Sequence, residues 1–168
     1  APDALSGRAK NTLRPLIDPG DIYNGLPDTL PDAVPNKARI AGMINEFIRV
    51  IGMAPVVFGR SELVTAVQGA GLNRDMLINL MLEEVSKPDK GGAMHLSKLL
   101  PSDDFATLMA LPTPAPERAS ALAVHKAIAD VFFPRAKRMA ADLDIEWPTK
   151  FEETTRAQLQ ANLGLTWD

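Results

Sequence analysis

Between Ile40 and Ile51 the apolar residues fall on one side of a helix. Ile40, Met43, Ile44, Phe47, Ile48 and Ile51 recur at intervals of three and four, the spacing that lines one helical face. Gly42, Asn45, Glu46 and Arg49 take the opposite side. Asn36, just after Pro35, supplies a side-chain oxygen for the first free amides, so a helix is predicted to open there. Gly52 and Pro55 end or kink it. Ser61 is the predicted cap of a second helix, with Val64, Val67, Gly71, Ile78, Met81 and Val85 on one face and Leu63, Leu77 and Leu82 beside it. Gly69 and Gly71 each cost about 1 kcal/mol relative to alanine in a helix, so they either break it or allow close packing.

Further along the pattern shortens and then lengthens again. Residues 93–100 suggest one or two helical turns. Ser102 or Asp103 caps a short helix ending near Leu111, and Pro112, Pro114 and Pro116 form a stiff connector. The longest pattern runs from Glu117 to Leu143 through Val124, Ile128, Val131, Phe132 and Met139, with a kink predicted at Pro134. A polar helix over Thr149–Leu163 is stopped by Gly164.

Ahead of all this, Leu13, Leu16 and Ile17 form a short apolar segment in which Pro15 allows an edge strand but not a central one. Pro19, Gly20, Gly25, Pro27, Pro31 and Pro35 then punctuate an extended linker. The expected fold is therefore mainly α: an antiparallel bundle of about five helices over residues 36–168. A proline-rich extension over residues 1–35 precedes it, with room for one short strand.

Composition narrows the function only a little. The absence of cysteine removes disulfides, thiolate nucleophiles and Cys zinc sites. A net charge of -3 makes a broad nucleic-acid footprint unexpected and mildly favours a cationic partner. No apolar run approaches ~20 residues, so no membrane span is expected. No signal peptide opens the chain, and a cytoplasmic setting is the expectation. The first residue is Ala1; removal of an initiator Met, or a start within a longer protein, would each explain that.

Candidate chemistry is sparse. His95 and His125 are the two imidazoles, and neither has a second ligand one helical turn away, so both read as packing or surface residues. Gly91-Gly92 after Lys90 lacks any phosphate-loop context and reads as a turn. Asp142 and Asp144 have the spacing of a Mg²⁺-holding pair, but they end a helix instead of sitting on a strand beside a Gly-Ser loop. The carboxylates on the helices are more suggestive. Asp75, Asn79 and Glu83 form one polar ridge, Glu46 lies three residues before Arg49, and Glu62 falls in the first turn of the second helix. They are either surface ion pairs and helix-dipole partners, or the wall of a groove for a polycation.

Several short pieces, in order, resemble the carboxy-terminal half of streptomycin-type aminoglycoside adenylyltransferases, of the nucleotidyltransferase superfamily. Arg14, Leu16, Ile17, Asp18 and Gly20 resemble the last strand of that family's catalytic domain, and a proline-rich connector follows. Asn45-Glu46-Phe47, then Arg60, Glu62 and Leu63, then Lys98, Leu99, Leu100 and Pro101, and finally Trp147-Pro148 resemble successive elements of its helical domain. Ile48 and Arg49 stand where the family usually has tryptophans. The Gly-Ser loop and Asp-x-Asp pair of the nucleotide site have no counterpart in these 168 residues. The resemblance implies an acceptor-binding helical domain. In the complete enzyme, ATP and Mg²⁺ would serve transfer of a nucleotidyl group to an aminoglycoside-like hydroxyl. It also implies a nucleotidyltransferase domain as partner, missing or separate, and Glu46, Glu62, Asp75 and Glu83 as the residues facing a cationic small-molecule acceptor. The alternative is a stand-alone helical module that binds a ligand or a protein without catalysis.

Overall fold

A computed structural model of the chain describes residues 7–88 and 95–167. Its helices run in the order α1 (Lys37–Gly52), α2 (Ala54–Gly59), α3 (Leu63–Glu84), α4 (Leu96–Leu99), α5 (Ser102–Ala110), α6 (Arg118–Asp142) and α7 (Thr149–Leu163), after a 3-10 turn over Lys10–Thr12. The architecture is mainly α. Five helices have nine residues or more, and α2 and α4 are short links between them.

Helix α1 forms for the reasons its sequence suggests. The Asn36 side chain accepts a hydrogen bond from the Arg39 amide at 3.0 Å. Ile40, Ile44, Phe47, Ile48 and Ile51 are all fully buried. Phe47 stacks on Phe132 of α6 with ring centroids 3.7 Å apart and meets Phe133 edge-on. The principal seam of the bundle lies between α3 and α6, and α1 packs against α3, α6 and α7. The end of α1 and α7 approach closely: a Cβ on Gly52 would come within 3.2 Å of Thr155 Cγ2. Gly164 takes the left-handed conformation (φ 62°) that stops α7, as a C-terminal glycine does. The chain then folds back so that Trp167 stacks on Phe133, with the Arg156 guanidinium close to both rings.

Several expectations need correcting. The segment 13–17 is not a strand, and no strand occurs among the described residues. No neighbouring strand is there to accept its ladder, and Leu16 and Ile17 are 90% and 87% exposed. Ser61 does not cap α3. It sits in the turn at φ 57°, its amide bonded to Phe58, and Glu62 precedes the helix. Gly69 and Gly71 leave α3 unbroken. The inward face of α3 is also rotated from the expected one. Ala66, Ala70, Asn73, Leu77 and Leu80 point inward, while Val64 is 67% exposed. Small alanines let α6 approach closely, which the larger β-branched residues would not. Pro134 lies on the exposed side of α6, which continues past it. Gly91-Gly92 lies outside the described residues.

The expectation about membrane length also changes. The stretch Lys37–Gly59 is long and apolar enough, by length and composition, to cross a bilayer. Its isoleucines and Phe47 are packed inside the bundle, as in the core helix of a globular domain.

The proline-rich linker is tied to the bundle at its far end. The Ala33 amide donates to Ser86 O at 2.6 Å, and the Asn36 amide donates to Glu83 Oε2 at 3.0 Å. These bonds anchor the start of α1 to the end of α3.

Candidate functional site

The four carboxylates proposed from sequence do not gather in one place. Glu46 lies on the exposed face of α1 and accepts two hydrogen bonds from Arg49, at 2.7 and 2.6 Å. Those bonds hold its carboxyl below the ordinary glutamate range. Glu62 sits exposed just before α3, and its side chain makes no capping bond. Asp75 is exposed on α3. Glu83 has another role altogether. It is buried, accepts from the Asn36 amide and pairs with Arg39 at 3.2 Å.

The polar ridge on α3 is therefore a seam. Asn79 accepts from Arg39 at 2.8 Å, and Glu83 takes the same arginine's other nitrogen. On the next side of α3, Glu84 pairs with both Arg135 and Arg138 of α6, and Arg135 also holds Asp104 of α5. Burial alone would lower the Arg135 guanidinium; the bonds to Asp104 and Glu84 outweigh it and hold it above its ordinary value. A second knot ties α7 to the end of α6. Burial would raise the Glu152 carboxyl, but hydrogen bonds from Trp147, Lys137 and Arg156 prevail and hold it low.

A concavity lies elsewhere. A cavity of about 260 Å³ opens where the end of α1, α2 and the first half of α3 meet His125 of α6. Met53, Val57, Phe58, Ala66 and Leu72 supply an apolar lining, with Arg49 and Gln68 as polar members. None of the four carboxylates lines it. Arg49, at a position where the family resemblance expects tryptophan, does.

His125 fixes the floor of this cavity. It is 2% exposed, its Nε2 lies 3.2 Å from the Ala66 carbonyl, and its Nδ1 faces Asn73 Nδ2 at 3.4 Å. The consistent tautomer has Nε2–H donating to Ala66 and Nδ1 accepting from Asn73. Burial pushes the imidazole pKa down, against the pull of the Ala66 carbonyl, so the ring is neutral at pH 7. Phe58 meets the ring edge-on, and Arg118 lies over the Phe58 ring at 5.3 Å.

No pattern in the sequence marks this cavity. Its lining comes from residues up to 76 positions apart, from Arg49 to His125, and no local spacing connects them. One signal was available: Gly69, a helix-weakening residue placed in the middle of a helix. Among the described residues no three His, Asp or Glu side chains gather as metal ligands. Asp142 closes α6, while Asp144 stands beyond it in a turn at φ 53°. The chain matches no protein-family model, no curated protein and no solved structure.

Proposed function

We propose that the chain is the helical, acceptor-facing part of a nucleotidyltransferase-like protein, with nucleotide chemistry supplied by a separate domain. The observation that carries this reading is the exposure of Leu16 and Ile17. They fall in the segment that resembles the last strand of the family's catalytic domain. Covering such side chains gains about 1.5–3 kcal/mol each, so a sheet that accepted this segment as an edge strand would be held to the bundle by it. ATP and Mg²⁺ belong to that domain, and no step is assigned to residues of this chain. The part left to the bundle is recognition of a cationic acceptor. Glu62 and Asp75 have no ion pair among the described residues, and Glu46 would exchange Arg49 for a ligand ammonium. Glu83 is withdrawn from the site, because it holds α1 to α3.

Calorimetric titration of the chain with a streptomycin-type aminoglycoside tests this. The expected result is weak binding that falls with added salt and falls further in Glu46→Gln, Glu62→Gln and Asp75→Asn. Absence of binding, or binding indifferent to all three changes, would contradict it. A second reading, a stand-alone ligand-binding module, is favoured by one observation: the apolar cavity beside α2.

A further inference from the structure

We propose that the cavity between α1, α2, α3 and α6 binds a small, neutral, largely apolar molecule carrying a ring system. This is independent of nucleotidyl transfer and deepens the second reading, on whose cavity it rests. The size comes first. An engineered cavity of about 150 Å³ lined by aliphatic and aromatic side chains takes up benzene. At about 260 Å³ this one suits two fused rings, roughly ten carbon atoms.

The chemistry of the walls sets the class. Arg49 and Glu46 neutralise each other at the rim, and Arg49 is the one charged side chain in the lining apart from the neutral His125. A charged ligand would find no free counter-charge there. Phe58 and the His125 ring, in edge-to-face contact with each other, are buried and form a rigid aromatic floor beneath the space. Gln68, exposed at the rim, offers a hydrogen bond to one polar substituent.

Two features concern what keeps the space open. Gly69 lines the cavity, and a Cβ there would sit 3.6 Å from His125 Cε1, an ordinary contact. Alanine would therefore fit and would strengthen the helix. Glycine gives up that gain and keeps the space beside the His125 Cε1 edge free of a side chain. At the mouth, Met53 and Leu72 are 47% and 55% exposed. Both are lining residues with apolar surface left for a guest to cover, and methionine in particular adapts its shape to a guest.

The floor is preorganised. Ala66 and Asn73 hold both nitrogens of His125, so the ring does not need to be ordered by the ligand. Preorganisation of this kind removes part of the cost of binding.

The test is a titration of the chain with 2-naphthol at neutral pH, followed by the probe's fluorescence. The expected result is saturable binding of one probe per chain, with a dissociation constant of roughly 100 µM for a ligand of this size. Gly69→Leu fills the space and is expected to weaken binding at least ~10-fold. Leu72→Glu, an exposed position whose change leaves the core intact, is expected to weaken it several-fold. It decides the matter if Gly69→Leu does not fold. Val64→Ser, exposed but outside the cavity, leaves binding unchanged. No saturable binding by the wild-type chain would overturn the proposal, as would wild-type affinity in both Leu72→Glu and a folded Gly69→Leu. Pairing of two chains over the mouth, seen as a dimer that excludes the probe, would overturn it as well. The aminoglycoside titration depends on carboxylates that lie outside the cavity, so failure of either proposal leaves the other standing.

Discussion

The two halves of α3 are built on opposite principles. Its second half is closed. Leu77, Leu80 and Met81 are fully buried, and Glu83 and Glu84 are tied to Arg39, Arg135 and Arg138. Its first half is open. Thr65, Ala66, Gly69 and Leu72 line a cavity, and the polar floor is a neutral imidazole. One helix thus carries both the rigid seam that anchors the bundle and the face on which the bundle has room for something else. Charge and bulk go where packing must be fixed, and small or exposed apolar residues go where it need not be.

The largest effect should come from the closed half. Leu77→Ala removes a fully buried side chain from the core of the bundle and is expected to cost about 3 kcal/mol in urea unfolding. Arg135→Met comes next. It leaves Asp104 without its half-buried partner and Glu84 with Arg138 alone, and about 2 kcal/mol of lost stability is expected by the same measurement.

His125 separates the halves by pH. Its folded pKa is depressed by burial, whereas the unfolded chain titrates near 6.5. Its contribution to stability is complete above that value and falls as pH drops toward the folded pKa. The slope is about 1.4 kcal/mol per unit for one proton. Urea midpoints at pH 7.5 and 5.5 should differ in the wild type and differ less in His125→Gln. The smallest effects lie in the open half. Gly69→Ala should raise stability by about 0.5–1 kcal/mol, and Leu72→Ala should change it by less than about 0.5 kcal/mol. A large loss in either would show the open half to be packed like the closed one.

Legibility in the sequence followed the same division. Helix α1 was readable to within a residue, because its apolar stripe is regular and Asn36 caps it. Helix α7 was readable at both ends, since Gly164 stops it. Helix α3 was readable as a helix but not in orientation. Its inward line begins with Ala66 and Ala70, and a search for large apolar residues passes over them. Helix α2 escaped because six residues are too few to show a period. Glu46 with Arg49 is the ion pair that their spacing allowed. The buried role of Glu83 was invisible, since its partners Asn36 and Arg39 lie more than forty positions away. The cavity was hidden for the same reason: four elements meet there, and no single one of them carries the pattern.

The most direct test of this division is methyl-resolved NMR of the chain titrated with 2-naphthol. Shift changes are expected at Met53, Ala66 and Leu72, with Leu77, Leu80 and Met81 unmoved. Changes centred on the second half of α3, or none at all, would contradict it.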